Sequence, residues 1–488
     1  MDARPTHALD RHIALSGFMG AGKTTLGCEL AGALGRPFVD VDSEIEQIAQ
    51  APIAEIFQAR GESEFRRLEE RCVRDALGRF ERAVIALGGG ALTSEATRLL
   101  LRERALTLLV EVDVDEAWRR VGSGSERPLA RDEESFRALY EERLPLYESC
   151  ADATVEDVEG AVLAAGGVVV APGVIERLGA LIPGDAQVAL VVDRNVAAIY
   201  GETVVKALGS RLIGVHELPP GEEAKSFAVY QRLLEELKLE RGDVLVGLGG
   251  GCTTDVAGFA AATYLRGIAW VAVPTSLVGQ TDAAIGGKTA IDLKSGKNLA
   301  GAFHWPARTV IDPNVLETLP VEQRREGMAE IVKTGLLAGR ELWELPGEEL
   351  VRGCALYKVG VCLRDPRERG ERAVLNLGHT FAHALEAGGD FGRPTHGEAV
   401  ALGLLAALRL SVERGLDPKW VRVVEEVLSP RPVFVERERA WKALNRDKKV
   451  AAGSPKFVLL DAFGKPVRGI SLAKDEARAA LDALIADS

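Results

Sequence analysis

Residues 12–24 read HIALSGFMGAGKT, a short apolar run that passes directly into Gly17-Phe-Met-Gly-Ala-Gly-Lys23-Thr24. From Thr25 to Leu34 the apolar residues then follow helical spacing. A strand, a complete G-x-x-x-x-G-K-[ST] loop and a helix in that order predict an α/β unit that holds nucleotide phosphates. The glycines let backbone N–H groups turn inward, so Gly20, Ala21, Gly22 and Thr25 are candidate phosphate contacts beside Lys23, which reaches the β and γ phosphates. The Thr24 hydroxyl is placed to ligate Mg²⁺.

Downstream residues extend this reading. After a second short strand, Phe38-Val39, come Asp40 and Asp42, which point the same way if the strand continues. One would serve the metal and the other a substrate hydroxyl; the plainer alternative is that they cap the helix that follows at Ser43. Gly61 to Arg67 opens an amphipathic helix carrying Arg66, and Ala83 to Leu87 is a buried-type strand ending in Gly88-Gly89-Gly90, where a small substrate can approach the backbone. Ser123 to Pro128 is a polar loop suited to a lid and carries Arg127; Arg143 lies on a later helix. On its own Arg66 would be part of a solvated, charge-rich face.

Taken together and in order, these residues resemble shikimate kinase over about residues 11–150. The resemblance implies that Asp42, Arg66, Gly89 and Arg143 hold shikimate, with both arginines on its carboxylate. It implies Arg127 as the lid arginine on ATP, and Asp40 beside Thr24 in positioning Mg²⁺. Forked guanidinium groups suit a carboxylate, and an aspartate suits a ring hydroxyl.

The chain has 488 residues, enough for two to four domains, with an ordinary globular composition. A net charge of -12 and a pI near 5.4 argue against nucleic acid or an acidic membrane surface as partner. Six cysteines occur without CxxC pairs, so neither a disulfide framework nor a cysteine zinc site is expected. With no signal-peptide core and no run of membrane-spanning length, the expected compartment is the reducing cytoplasm.

The segment 151–167, acidic and then Ala/Gly-rich, reads as a linker. Beyond it a new α/β alternation begins at Val168. Three of the seven histidines fall within Arg372–Glu398, RAVLNLGHTFAHALEAGGDFGRPTHGE. His379 and His383 share a helical face, and His396 returns after a glycine-rich turn, so a metal site is a candidate that needs a further ligand from elsewhere. Glu330, on one helical face with Lys333, is that candidate. Earlier, a strand ends at Asp193 and Asn195, and Asp243 to Leu248 ends in Gly249-Gly250-Gly251. An Asp after one strand and glycines after another suit a dinucleotide, although Cys252 interrupts the usual glycine fingerprint. Arg266, Asp282, Lys288, Lys297 and Asn298 would make a pocket for a phosphorylated polyol.

Over about residues 168–488 this combination resembles 3-dehydroquinate synthase. The fold then expected is α/β, with a P-loop domain with a parallel sheet (1–150), a Rossmann-type NAD-binding half (168–312) and an α-helical metal-binding half (313–488). The resemblance implies that Glu330, His379 and His396 carry Zn²⁺ or another divalent ion such as Co²⁺, and it moves His383 to a substrate or proton-transfer role. For the substrate it implies Arg266, Asp282, Lys288, Asn298, Lys333, Lys358, Arg372, Asn376 and Lys448, with Lys297 near the phosphate, and it makes Lys288, Lys333, Glu368, Asn376 and His383 the catalytic set. For NAD it implies Asp193, Asn195, Glu222, Lys225, Gly250, Gly251, Asp255, Thr275 and Ser276, with Lys297 at the same cleft.

The reaction implied is cyclisation of 3-deoxy-D-arabino-heptulosonate 7-phosphate to 3-dehydroquinate: a hydride is lent to NAD⁺ and returned, and phosphate leaves. A homodimer through this unit is also implied. Two departures from the family stand out. The start near Val168 is abbreviated, and Gly335 to Tyr357 is short, so a first strand and a peripheral helix are expected to be missing or altered. The alternatives are another sugar phosphate cyclase, a metal-dependent polyol dehydrogenase, and a P-loop unit that only senses ATP.

Overall fold

The computed structural model describes residues 7–121, 132–389, 393–446 and 455–487. The chain divides into two compact units, Arg4–Val169 and Val170–Ser488.

In the first unit five parallel strands, β1 (His12–Ser16), β2 (Phe38–Asp40), β3 (Val84–Ala86), β4 (Ala105–Val110) and β5 (Ala153–Val155), lie in the order β2-β3-β1-β4-β5. The central strands β1, β3 and β4 are buried along their whole length, which is why they read as unbroken apolar runs. Two expectations change here. Residues 151–167 are not a linker: they hold β5, paired with β4 at Val110↔Val155, and the helix Val158–Ala165, capped by Asp157 and packed against the Lys23–Leu34 helix. Strand β2 ends at Asp40 and a helix begins at Val41, so Asp40 and Asp42 are not strand neighbours. Gly61, with φ 77°, breaks the long Ile53–Arg79 helix just before Arg66.

The second unit has a sheet in which β7 (Val188–Asp193), β8 (Leu212–Leu218), β9 (Val244–Gly249), β10 (Ala269–Pro274) and, after a hairpin, β13 (Arg308–Ile311) run parallel, with β6 (Val168–Val170), at the unit boundary, on its edge. Their order is β6-β13-β10-β9-β7-β8. The order reverses between β7 and β9, so Asp193 and Gly249–Gly251 both emerge at a switch point, where α/β sheets bind ligands. The antiparallel hairpin of β11 (Lys288–Leu293) and β12 (Gly296–Phe303) carries Lys288, Lys297 and Asn298.

The first strand, expected to be missing or altered, is present as β6, three residues at the sheet edge. The short stretch from Gly335 to Tyr357 holds the end of helix Val321–Ala338, a tight turn and the start of helix Gly347–Arg364. Among the described residues the C-terminal half is mainly helical, with one hairpin of β14 (Phe457–Ala462) and β15 (Lys465–Ile470). Its core is centred on the His396–Val412 helix, which is apolar on nearly every face and is buried accordingly.

Candidate active sites

Gly20 and Gly22 adopt left-handed backbone (φ 83° and 87°), which a side chain would resist, and so turn the loop back on itself ahead of helix Lys23–Leu34. Lys23 Nζ donates to the carbonyls of Gly17 and Phe18, both at 2.9 Å, which holds the amine over the loop. Asp40 caps the following helix, its Oδ1 accepting from Ser43 N at 3.0 Å, while Oδ2 accepts from Thr24 Oγ1 at 2.6 Å. The Thr24 hydroxyl and a carboxylate therefore meet at one point beside the loop, an all-oxygen setting suited to Mg²⁺.

A second cluster forms around the glycine triplet. Arg66 pairs with Glu69 at 2.6 Å and Glu62 at 3.1 Å, and its guanidinium lies where a side chain on Gly90 would sit. The space beside Gly88 is likewise filled by the carboxylates of Glu69 and Asp42. Buried Arg143 donates to the Gly89 carbonyl at 3.1 Å, and so does Tyr147. Asp42, Arg66, Gly89 and Arg143 are thus brought together. Glu69, three residues after Arg66 and on its helical face, was not anticipated. Burial, reinforced by Asp42, pushes its carboxyl above the ordinary range against the pull of Arg66. Arg127 lies outside the described residues.

In the second unit, close approaches at glycine assemble the metal candidates. Gly378 begins helix His379–Gly388 with φ 78°, and its carbonyl lies against Gly403 of the next helix. Gly397 sits where a β-carbon would be 2.4 Å from the Cα of Glu326. These contacts bring His379, His396 and Glu330 of helix Val321–Ala338 to one place. His379 Nε2 and His396 Nε2 are 3.3 Å and 3.1 Å from Glu330 Oε1, and ligand atoms of the three lie within 4.8 Å of one another. One carboxylate and two imidazoles suit Zn²⁺ or Co²⁺. His383 is exposed and not in this set, although its ring lies edge-on to that of His379. The Gly397→Ala protein should lose about 1–3 kcal/mol of stability from overpacking and retain metal less well, measured by thermal melting and elemental analysis. A variant that melts with the parent and keeps its metal would show that this contact does not build the site.

Fully buried Glu330 also pairs with Lys333, which lies 3.9 Å from Asp282, and Lys358 donates to the Asp282 carboxylate and carbonyl. Burial alone would raise the Glu330 and Asp282 carboxyls, but the lysines, and for Glu330 the histidines, hold both below their usual range. Lys288 pairs with Glu368 at 2.6 Å, and Glu368 accepts from Asn376 at 2.9 Å. Arg372 is buried and donates to the carbonyls of Gly286 and Pro366 at 2.8 Å and 2.9 Å.

Towards the switch point, Asp193 Oδ1 caps its helix through Asn195 N at 2.8 Å. Gly249 to Gly251 lead into helix Gly251–Thr263, and Thr275 N donates to the Gly249 carbonyl at 2.9 Å. Ser276 lies in the space beside Gly250. Lys225 joins Asp255 at 2.6 Å and the Asn298 side chain, and Lys297 pairs with Glu222 at 3.3 Å. Burial pushes the Asp255 carboxyl up to about 6 despite Lys225. Arg266 is exposed with left-handed backbone (φ 69°), and no described contact ties it to this cluster. Lys448 lies outside the described residues. Glu386, whose carboxylate backs His396, was not anticipated; its place two turns after His379 on the same helix is the signal that could have found it.

Residues 19–172 match the family model for shikimate kinase. Residues 215–326 and 327–450 match those for the N-terminal and C-terminal parts of 3-dehydroquinate synthase. The 3-dehydroquinate synthase of Synechococcus sp. (strain ATCC 27144 / PCC 6301 / SAUG 1402/1) is 41% identical over 304 residues, covering 56% of this chain and 82% of that protein. Among solved structures, 2-deoxy-scyllo-inosose synthase complexed with carbaglucose-6-phosphate, NAD⁺ and Co²⁺ is 26% identical with a TM-score of 0.58, covering 65% of this chain and 96% of that one. The 2-epi-5-epi-valiolone synthase of Streptomyces hygroscopicus subsp. jinggangensis 5008, with NAD⁺ and Zn²⁺ bound, gives the same identity, TM-score and coverage.

Proposed function

The chain belongs to the 3-dehydroquinate synthase family, with a shikimate kinase domain fused ahead of it, and on that premise we propose which residues carry its two reactions. One reaction phosphorylates shikimate from ATP to shikimate 3-phosphate. The other cyclises 3-deoxy-D-arabino-heptulosonate 7-phosphate to 3-dehydroquinate with release of phosphate.

In the kinase unit, the loop amides and Lys23 hold the β and γ phosphates, and Thr24 with Asp40 would hold Mg²⁺, whose charge neutralises the transferring group. Arg66 and Arg143 take the shikimate carboxylate, Asp42 orients a ring hydroxyl, and Gly88–Gly90 leave room for the ring. Glu69 fixes the Arg66 fork. Arg127 is assigned to the lid over ATP.

In the synthase unit, Glu330, His379 and His396 would hold the divalent metal. NAD would lie along Asp193, Asn195, Glu222, Lys225, Gly250, Gly251, Asp255, Thr275 and Ser276. Bound there, the two supply a Lewis acid at the carbinol oxygen and a reversible hydride acceptor. The Asp193 oxygen not engaged in the cap is available to ribose hydroxyls. Lys288, Lys358, Arg372, Lys448, Asn298, Lys297 and Arg266 bind the anionic groups of the substrate. Lys333 and Asp282 hold the charge balance beside the metal, Glu368 orients Asn376, and exposed His383 moves a proton at the substrate. The protein works in the cytoplasm, consistent with six free cysteines. It is assigned as a homodimer through this unit, whose edge strand β8 exposes Ile213 and Val215.

The observation that carries the synthase reading is the meeting of Glu330, His379 and His396 within 4.8 Å, although the three are distant in sequence. Stripping divalent ions with a chelator should lower cyclisation by at least about 100-fold, with recovery on adding Zn²⁺ or Co²⁺ but not Mg²⁺. Phosphorylation of shikimate should return with Mg²⁺ alone. Full cyclisation by protein shown to be metal-free would refute the assignment.

A further inference from the structure

We infer that Glu386 is the positioning carboxylate of the metal site, holding the His396 imidazole by Nδ1 so that Nε2 faces Glu330. The inference rests on the metal reading above and adds a residue outside the ligand set.

The two candidate histidines are anchored differently. His379 is mostly buried, and its Nδ1 lies 3.2 Å from the backbone carbonyl of Leu377, an anchor built into the turn before its helix. His396 is the first residue of its own helix, behind the Thr395 cap, and its side chain is 38% exposed against 11% for His379. Less hemmed in by packing, it needs a partner to hold its ring. Glu386 supplies one: Oε1 lies 3.1 Å from His396 Nδ1, while His396 Nε2 is 3.1 Å from Glu330 Oε1.

A carboxylate behind an imidazole fixes the tautomer with the proton on Nδ1 and the lone pair of Nε2 toward the metal, and it makes that lone pair more basic. Glu386 is itself mostly shielded, its side chain 15% exposed, so its hold on the ring meets little competition from solvent. Because it rides on the same helix as His379, it ties the second histidine to the element that carries the first.

The test is Co²⁺ and Zn²⁺ affinity of the full chain, by competition with a chromophoric chelator, together with the visible spectrum of the Co²⁺ form. Glu386→Gln keeps an acceptor for Nδ1 but loses the charge and should weaken binding about 10-fold; Glu386→Ala should weaken it about 100-fold. Both should shift the Co²⁺ bands, and the melting temperature of metal-free Glu386→Gln should match that of the metal-free parent. If Glu386→Ala does not fold, the near-isosteric Glu386→Gln decides alone. The control is His396→Ala. Weak binding by His396→Ala, with both Glu386 variants within twofold of the parent and spectrally unchanged, would overturn the inference and leave the metal site standing. Unchanged binding by His396→Ala would remove the metal reading itself, and the inference with it.

Discussion

Replacing Glu330 with glutamine is expected to lower cyclisation by at least about 10³-fold while shikimate phosphorylation continues at the parent rate. The reasoning starts from burial. Glu330 has no solvent exposure, yet its carboxyl is held ionised by Lys333 and by His379 and His396. An amide in its place removes the negative charge between the two imidazoles and leaves Lys333 with Asp282, at 3.9 Å. Breaking such a buried pair costs about 3–5 kcal/mol, so a thermal melt belongs with the assay. A folded Glu330→Gln protein that still cyclises at a tenth of the parent rate would show that the carboxylate is not a metal ligand.

The second large effect is expected at Lys23. Its amine is held over the loop by the carbonyls of Gly17 and Phe18. Phosphoryl transfer asks the protein for positioning and charge neutralisation and little else. Lys23→Ala should therefore lower shikimate-dependent ADP release by about 10³-fold or more, with cyclisation unaffected. Substantial residual turnover, or ATP binding without turnover in the parent protein, would favour a P-loop that only senses nucleotide.

The alternative of another sugar phosphate cyclase is weakened by the difference in likeness. Inosose and valiolone synthases share the fold at 26% identity, whereas the 3-dehydroquinate synthase of Synechococcus is 41% identical.

How far the sequence could be read depended on how local each feature is. The phosphate loop is complete in eight consecutive residues, with its strand and helix adjoining, so both the motif and its α/β setting were legible. The metal site is not local. Helical spacing by itself favours His379 with His383, yet it is His396 and Glu330 whose ligand atoms meet those of His379. What decides this is the close approach at Gly378–Gly403 and Gly397–Glu326, tertiary contacts that spacing cannot report. Resemblance names the three residues that the fold brings together, which spacing could not.

Other misreadings have equally physical causes. Strand periodicity puts Asp40 and Asp42 on one face only while the strand lasts, and it becomes a helix at Val41. Residues 151–167 looked like a linker because small and acidic residues lack a strong apolar signal. An edge strand and a small-residue helix need none when they complete an existing core. Glu69 and Glu386 were passed over because charged residues on a helix are usually solvated. Each stands at helical spacing from a residue already singled out, Arg66 and His379, and that signal was there to be used.

The central claim is that one chain performs two chemically separate reactions. The most direct test supplies the purified full-length protein with each substrate set in turn and identifies the products. ATP and shikimate should give ADP and shikimate 3-phosphate. The heptulosonate phosphate with NAD⁺ and Zn²⁺ should give 3-dehydroquinate and inorganic phosphate in equal amounts, with no growth of absorbance at the NADH band. Continuous NADH formation, a different carbocycle, or only one of the two reactions would contradict it.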